Sequence, residues 1–114
     1  MTSDPVGEVR VVFVTAPDRA VAESIAAQLV HERLIACANV VHGVRSVYRW
    51  EGEVRKEDEV LLILKSTRAV LPGLERRIRE IHPYEVPEVL ALTVERGSEA
   101  YASWVLGEVG AVHE

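Results

Sequence analysis

Residues 82–88 read HPYEVPE, which sets an imidazole, a phenol and two carboxylates between two prolines. His82 and Glu88 offer nitrogen and oxygen donors of the kind that first-row divalent metals accept. Tyr84 and Glu85 would line a ligand cleft beside them, the phenol as a hydrogen-bonding group. The spacing matches no standard zinc signature such as H-E-x-x-H. A second reading needs no ligand at all. Pro83 ends a helix after His82, and Pro87 biases Val86 toward extended geometry, so the segment carries the chain from helix into strand. On the residues alone both readings stand.

The other reactive candidate is Cys37. A nucleophilic cysteine needs a base within reach and an electropositive, partly open setting. His42 lies five positions on, an odd separation that sends two strand side chains to opposite faces unless Gly43 marks a bulge. The surrounding ACA of residues 36–38 suits a tightly packed strand, so Cys37 reads as a small core hydrophobe. An enzyme built on Cys37 or Glu85 lacks a nucleophile–base–orienter set, and no catalytic residue is assigned. His31, on the polar side of a helix, and His113, in the tail, read as solvated.

Positioning these groups falls to a short series of elements. The apolar block VRVVFVT (9–15) predicts a strand covered on both faces. Thr15, Pro17 and Asp18 mark a helix start, with Thr15 as cap, and Val21, Ile25 and Leu29 give a stripe that runs to about Arg33. Residues 34–50 are β-rich, Glu51-Gly52 makes a turn, and the return strand begins polar and becomes wholly apolar at VLLIL (60–64). Thr67 can cap a second helix whose inward face is Leu71, Leu74, Ile78 and Ile81. EVLALTV (88–94) is a fourth strand, and Gly97-Ser98 opens a closing helix with Tyr101, Trp104 and Val105. The order is βαββαβ with an extra C-terminal helix. Right-handed crossovers turn it into an α+β, ferredoxin-like antiparallel sheet with two helices on one face.

Tyr48 and Trp50 fall near the hairpin tip, where a single chain has little core to cover them. Exposed aromatic edges call for a partner, which points to self-association; the alternative is that the stems of Arg49 and Arg55 cover the rings.

The chain has 114 residues, 48% of them hydrophobic, enough for one core without disulfides or metal. One domain is expected over 9–114, preceded by a flexible lead over 1–8. A net charge of −5 disfavours nucleic acid. The one basic cluster, Arg76, Arg77 and Arg79, is flanked by Glu75 and Glu80 and reads as a solvated helix face. A single cysteine fits a reducing compartment. The first eight residues carry no signal-peptide pattern, and apolar runs such as Val60–Leu64 are too short to cross a bilayer. The expectation is a cytoplasmic protein with no membrane partner.

Three segments taken together, VTAPD (14–18), ERLIACANVVHGVRSVYRWEG (32–52) and IHPYEVPEVLAL (81–92), resemble the CutA divalent-cation-tolerance family, and the likeness runs from about Val11 to Trp104. The resemblance implies a ferredoxin-like fold in a tight homotrimer whose long hairpins wrap neighbouring subunits, placing Tyr48 and Trp50 in the trimer interface. It also implies a likeness to PII signalling proteins, trimers that bind small ligands between subunits. Some bacterial members bind copper through a first-strand cysteine and a histidine pair just before Pro-Tyr. Here those positions hold Val14 and Ile81, and only His82 carries over. The implied protein is a non-enzymatic homotrimer that responds to divalent metals, copper among them. It has no firm cofactor beyond such a metal, and takes an ion or small anion in an inter-subunit cleft. A PII-like small-molecule sensor or partner-docking module is the alternative.

Overall fold

The structure, a computed structural model, describes residues 4–110. The expectations for the first three residues and for His113 lie outside that range.

Elements follow the order α1 (Pro5–Glu8), β1 (Val9–Ala16), α2 (Arg19–His31), β2 (Cys37–Trp50), β3 (Glu53–Thr67), a 3-10 turn (Arg68–Val70), α3 (Leu71–Ile81), β4 (Leu90–Thr93) and α4 (Glu99–Glu108). The four strands form one antiparallel sheet in the order β2-β3-β1-β4. This is the ferredoxin-like arrangement expected, with the closing helix in place.

One face of the sheet carries the main core. Val12, Val14 and Ala16 of β1 and Val60, Leu62 and Leu64 of β3 alternate toward it, as a two-residue period requires. Ile25 and Leu29 of α2 and Leu74 and Ile78 of α3 close over them. Arg77 ties the two helices together, its guanidinium donating to Glu32 at 2.9 Å and to Glu80 at 3.1 Å. Arg79 pairs with Glu75 at 3.2 Å, so two of the three arginines of the basic cluster, Arg77 and Arg79, are ion-paired on the helix face.

Local chemistry departs from expectation at several ends. The cap of α2 is Asp18, whose carboxylate accepts from the Val21 amide at 2.9 Å, while Thr15 belongs to β1. Thr67 makes no capping bond; it is buried at the end of β3, and Val70 precedes α3. The fourth strand is four residues rather than seven. Part of the lead expected to be flexible is a helical turn, because Asp4 caps it at the Val6 amide and Val6 is buried. Val6 and Val9 pack with Ala102 and Val105, so α1 and α4 cover the sheet's second face at the end where β1 begins.

The rest of that second face has no helix over it among the described residues. Val11, Phe13, Leu61 and Ile63 are half-buried there, and Leu90 and Leu92 beside them are 58% and 44% exposed.

The β2–β3 hairpin runs out past the core. The radius of gyration is 15.1 Å, against about 13 Å for a compact chain of this length. Its turn has Glu51 at φ 50° and Gly52 at φ 81°, two successive left-handed residues that suit a tight hairpin. Glutamate is a poor occupant of the first of these positions. Glu51→Asn is expected to stabilise the fold by about 0.5 kcal/mol, read as a higher urea midpoint with an unchanged slope; a lower midpoint would count against this turn.

Candidate functional site

The site begins with an irregularity in β2. Val41 pairs with Leu61 and Val44 with Glu59, so His42 and Gly43 together oppose a single residue, and Gly43 takes φ 82°. A bulge of this kind sends every later side chain to the other face. Ala38 and Val40 pair across from the core residues Leu64 and Leu62, but Ser46, Tyr48 and Trp50 pair across from Glu57, Arg55 and Glu53. On β3 those odd positions continue the open face of Leu61 and Ile63. The aromatic residues near the tip and the acidic residues of the return strand therefore share the open face.

Residues 82–88 fold against this surface. His82 is 7% exposed, and its ring bridges two backbone groups. Nε2 lies 2.7 Å from the Thr15 carbonyl, and the Tyr84 amide donates to Nδ1 at 3.0 Å. The carbonyl can only accept and the amide can only donate, so the ring is neutral with its proton on Nε2. Tyr84, thus oriented, donates its hydroxyl to Glu59 at 2.6 Å. The two rings pack with centroids 4.6 Å apart.

Between loop and hairpin lies a cleft of about 610 Å³. Tyr48, Trp50 and Tyr84 form its aromatic wall, and Glu57, Glu59, Glu85 and Glu88 supply carboxylates against the single cation of Arg55. Burial, then the bond to Glu59, holds the Tyr84 phenol far above its usual range. The hydrogen bond to Glu57 raises Tyr48 as well.

Of the expected cleft residues, Tyr84, Glu85 and Glu88 come together with Tyr48 and Trp50. His82 does not join them as a donor, because the folded backbone occupies both of its nitrogens. No group of three or more His, Cys, Asp or Glu placed to hold a metal occurs among the described residues, and a metal at His82 and Glu88 stays an expectation from the sequence. Glu57 and Glu59 were missed, although the alternation of Arg55, Glu57 and Glu59 in the return strand was a usable sign that they share a face.

Cys37 also differs from expectation. It is half-buried on the face opposite the main core, and its sulfur lies 3.4 Å from the Tyr101 hydroxyl rather than beside His42, which is exposed in the bulge. The Cys37 hydrogen bond, followed by burial, pushes Tyr101 up to about 12. A phenol whose folded pKa is raised stabilises the fold fully below its unfolded pKa near 10, and that contribution is lost as pH climbs through 12. Ultraviolet titration of the folded protein should thus show less tyrosinate at pH 10 than the unfolded chain, since all three tyrosines are raised. Cys37→Ala is expected to let Tyr101 ionise at lower pH; an unchanged titration would mean the sulfur contact contributes nothing.

An antiparallel α+β sheet in the order β2-β3-β1-β4, with a protruding hairpin and a proline-framed loop beside it, defines a ferredoxin-like domain. The chain belongs to the CutA1 divalent ion tolerance protein family, whose sequence profile matches residues 10–108. It is similar to the divalent-cation tolerance protein CutA of Thermus thermophilus, 45% identical over 100 residues that cover 88% of this chain and 97% of that protein. Mouse Protein CutA is 42% identical over 99 residues, 87% of this chain, and there the chain spans 56% of the relative's length. Among solved structures, the divalent cation tolerance protein from Thermus thermophilus superposes with a TM-score of 0.88 at 44% identity, over 90% of this chain and 99% of that one. CutA1 from Oryza sativa gives 0.90 at 35% identity, over 95% and 99%. No helix of the described residues is long and apolar enough to cross a membrane.

Proposed function

We propose that this protein acts without catalysing a reaction, as a cytoplasmic homotrimer that serves cellular tolerance of divalent metal ions, with the cleft beside Tyr84 as its ligand site. The observation that carries the tolerance reading is the family match across residues 10–108. The homotrimer is supported by the helix-free apolar area of the sheet and by Trp50, 45% exposed next to the hairpin turn. Burying these groups against two further copies removes a large apolar surface from water.

Copper itself does not fit the donor set of this chain. The first-strand position is Val14, buried in the core, the position before His82 is Ile81, and His82 has no free lone pair. Carboxylates alone favour harder ions than copper. A small anion fits no better, since four glutamates face one arginine in the cleft. Tolerance on this reading does not run through a chelated ion at His82.

Two measurements test the proposal. Sedimentation at micromolar concentration is expected to give a single species of three chains; a well-folded lone subunit would end the assembly reading. Expression in a bacterial host deleted for its own family member is expected to restore growth in graded copper and zinc. Failure of soluble protein to restore growth in either metal would remove the tolerance role.

A further inference from the structure

The bulge at His42 and Gly43 gives the protruding hairpin two sides of opposite charge. On the side continuous with the open face, Glu57 and Glu59 pair across from Ser46 and Val44. With Glu85 and Glu88 of the loop they set four carboxylates against Arg55 around the cleft. On the other side, Arg49 pairs across from Val54, Val47 from Lys56 and Arg45 from Asp58. Asp58 neutralises Arg45 at 2.8 Å. Arg49 and Lys56 take part in no ion pair among the described residues, and neither do the four glutamates of the cleft. Beside these two cations Val47 and Val54 are 59% and 61% exposed. One hairpin therefore carries an apolar patch with a basic rim on one side and an aromatic wall with an acidic rim on the other. Each has the anatomy of a protein–protein contact, an apolar centre ringed by charge.

We propose that the basic side of one copy's hairpin seats over the acidic cleft of the next copy. Arg49 and Lys56 of one chain then balance Glu57, Glu85 and Glu88 of its neighbour, while Val47 and Val54 cover Tyr48 and Trp50. Four carboxylates shut between copies without a counter-charge would oppose assembly, because a charge taken out of water needs a partner. Opposite potentials across a contact favour the right pairing, and like potentials exclude the wrong one. A two-fold contact through either side would set that side against itself, acid on acid or base on base. Basic side on acidic side is instead a head-to-tail contact, the kind from which a cyclic three-chain ring is built. The inference rests on the homotrimer reading and adds to it which surfaces meet; the cleft becomes a site walled by two chains.

Charge reversal tests the pairing. Sedimentation at low salt across a urea series gives the midpoint at which the parent's three-chain species is lost. Arg49→Glu with Lys56→Glu is expected to lower that midpoint, and Glu85→Lys with Glu88→Lys to lower it likewise, each weakening assembly about tenfold or more. A chain with all four substitutions again has opposite charges at every contact and is expected to recover most of the loss. Added salt should lower the parent's midpoint, and Arg49→Gln with Lys56→Gln should remove most of that dependence. All four positions are exposed in the single chain, so circular dichroism should show the parent's secondary structure in every variant.

A parent trimer whose midpoint neither reversal shifts overturns the inference and leaves the homotrimer standing. So does a four-substitution chain that loses as much as the two reversals added together, since the two sets of charges would then not meet. A parent that sediments as one folded chain ends the homotrimer, and this contact with it.

Discussion

His82→Ala is expected to destabilise the fold by about 3 kcal/mol, since a buried polar group left without its partner costs roughly 1–3 kcal/mol and this ring serves two of them. The Thr15 carbonyl and the Tyr84 amide both lose their bond in the variant. Urea denaturation measures the loss directly. The same variant is expected to leave copper affinity where it was, because no lone pair of the ring faces a ligand. His82→Asn should fall between, since an amide can donate and accept but does not fill the ring's volume. A variant with parent stability and weakened copper binding would reverse both assignments and return His82 to the role of chelator.

The second large effect lies on the open face. Ile63 sits opposite Phe13 on β1 and Asn39 on β2, half-buried within a single chain. Ile63→Asp places a charge where the proposed assembly would exclude water, at an effective cost of about 3 kcal/mol or more per subunit. The expected outcome is loss of the three-chain species in sedimentation at micromolar concentration. Circular dichroism then separates two routes to that result, dissociation of folded subunits and collapse of the fold. Glu75→Gln on the opposite, ion-paired helix face serves as the control and should sediment like the parent. Persistence of the three-chain species in Ile63→Asp would place the contact surface elsewhere.

Much of the fold was legible because its signals are local. Glu51-Gly52 fixed the hairpin turn, the alternation around Leu62 and Leu64 fixed the core face of β3, and Ser98 at the head of α4 accepts from the Tyr101 amide as a cap should. Where two hydroxyls competed for capping roles, composition misled. Thr15 and Thr67 are β-branched residues that the sheet absorbed, and Asp18 took the first helix. The site was harder to read for a different reason. The role of His82 depends on a carbonyl 67 positions earlier, and that of Tyr84 on a carboxylate 25 positions earlier. No spacing rule reaches across such intervals. The question whether Gly43 bulges could be posed from sequence, but only the register of β2 against β3 answers it, and with it the face on which Tyr48 and Trp50 lie.

The bridging of His82 between a carbonyl and an amide has a use outside thermodynamics. A ring proton shielded from water and held by a short bond exchanges slowly with solvent. Such a proton gives its own resonance, well downfield of the amide envelope, in magnetic-resonance spectra recorded in water. One peak would then follow the closure of the loop while ligands, salts or neighbouring chains are added.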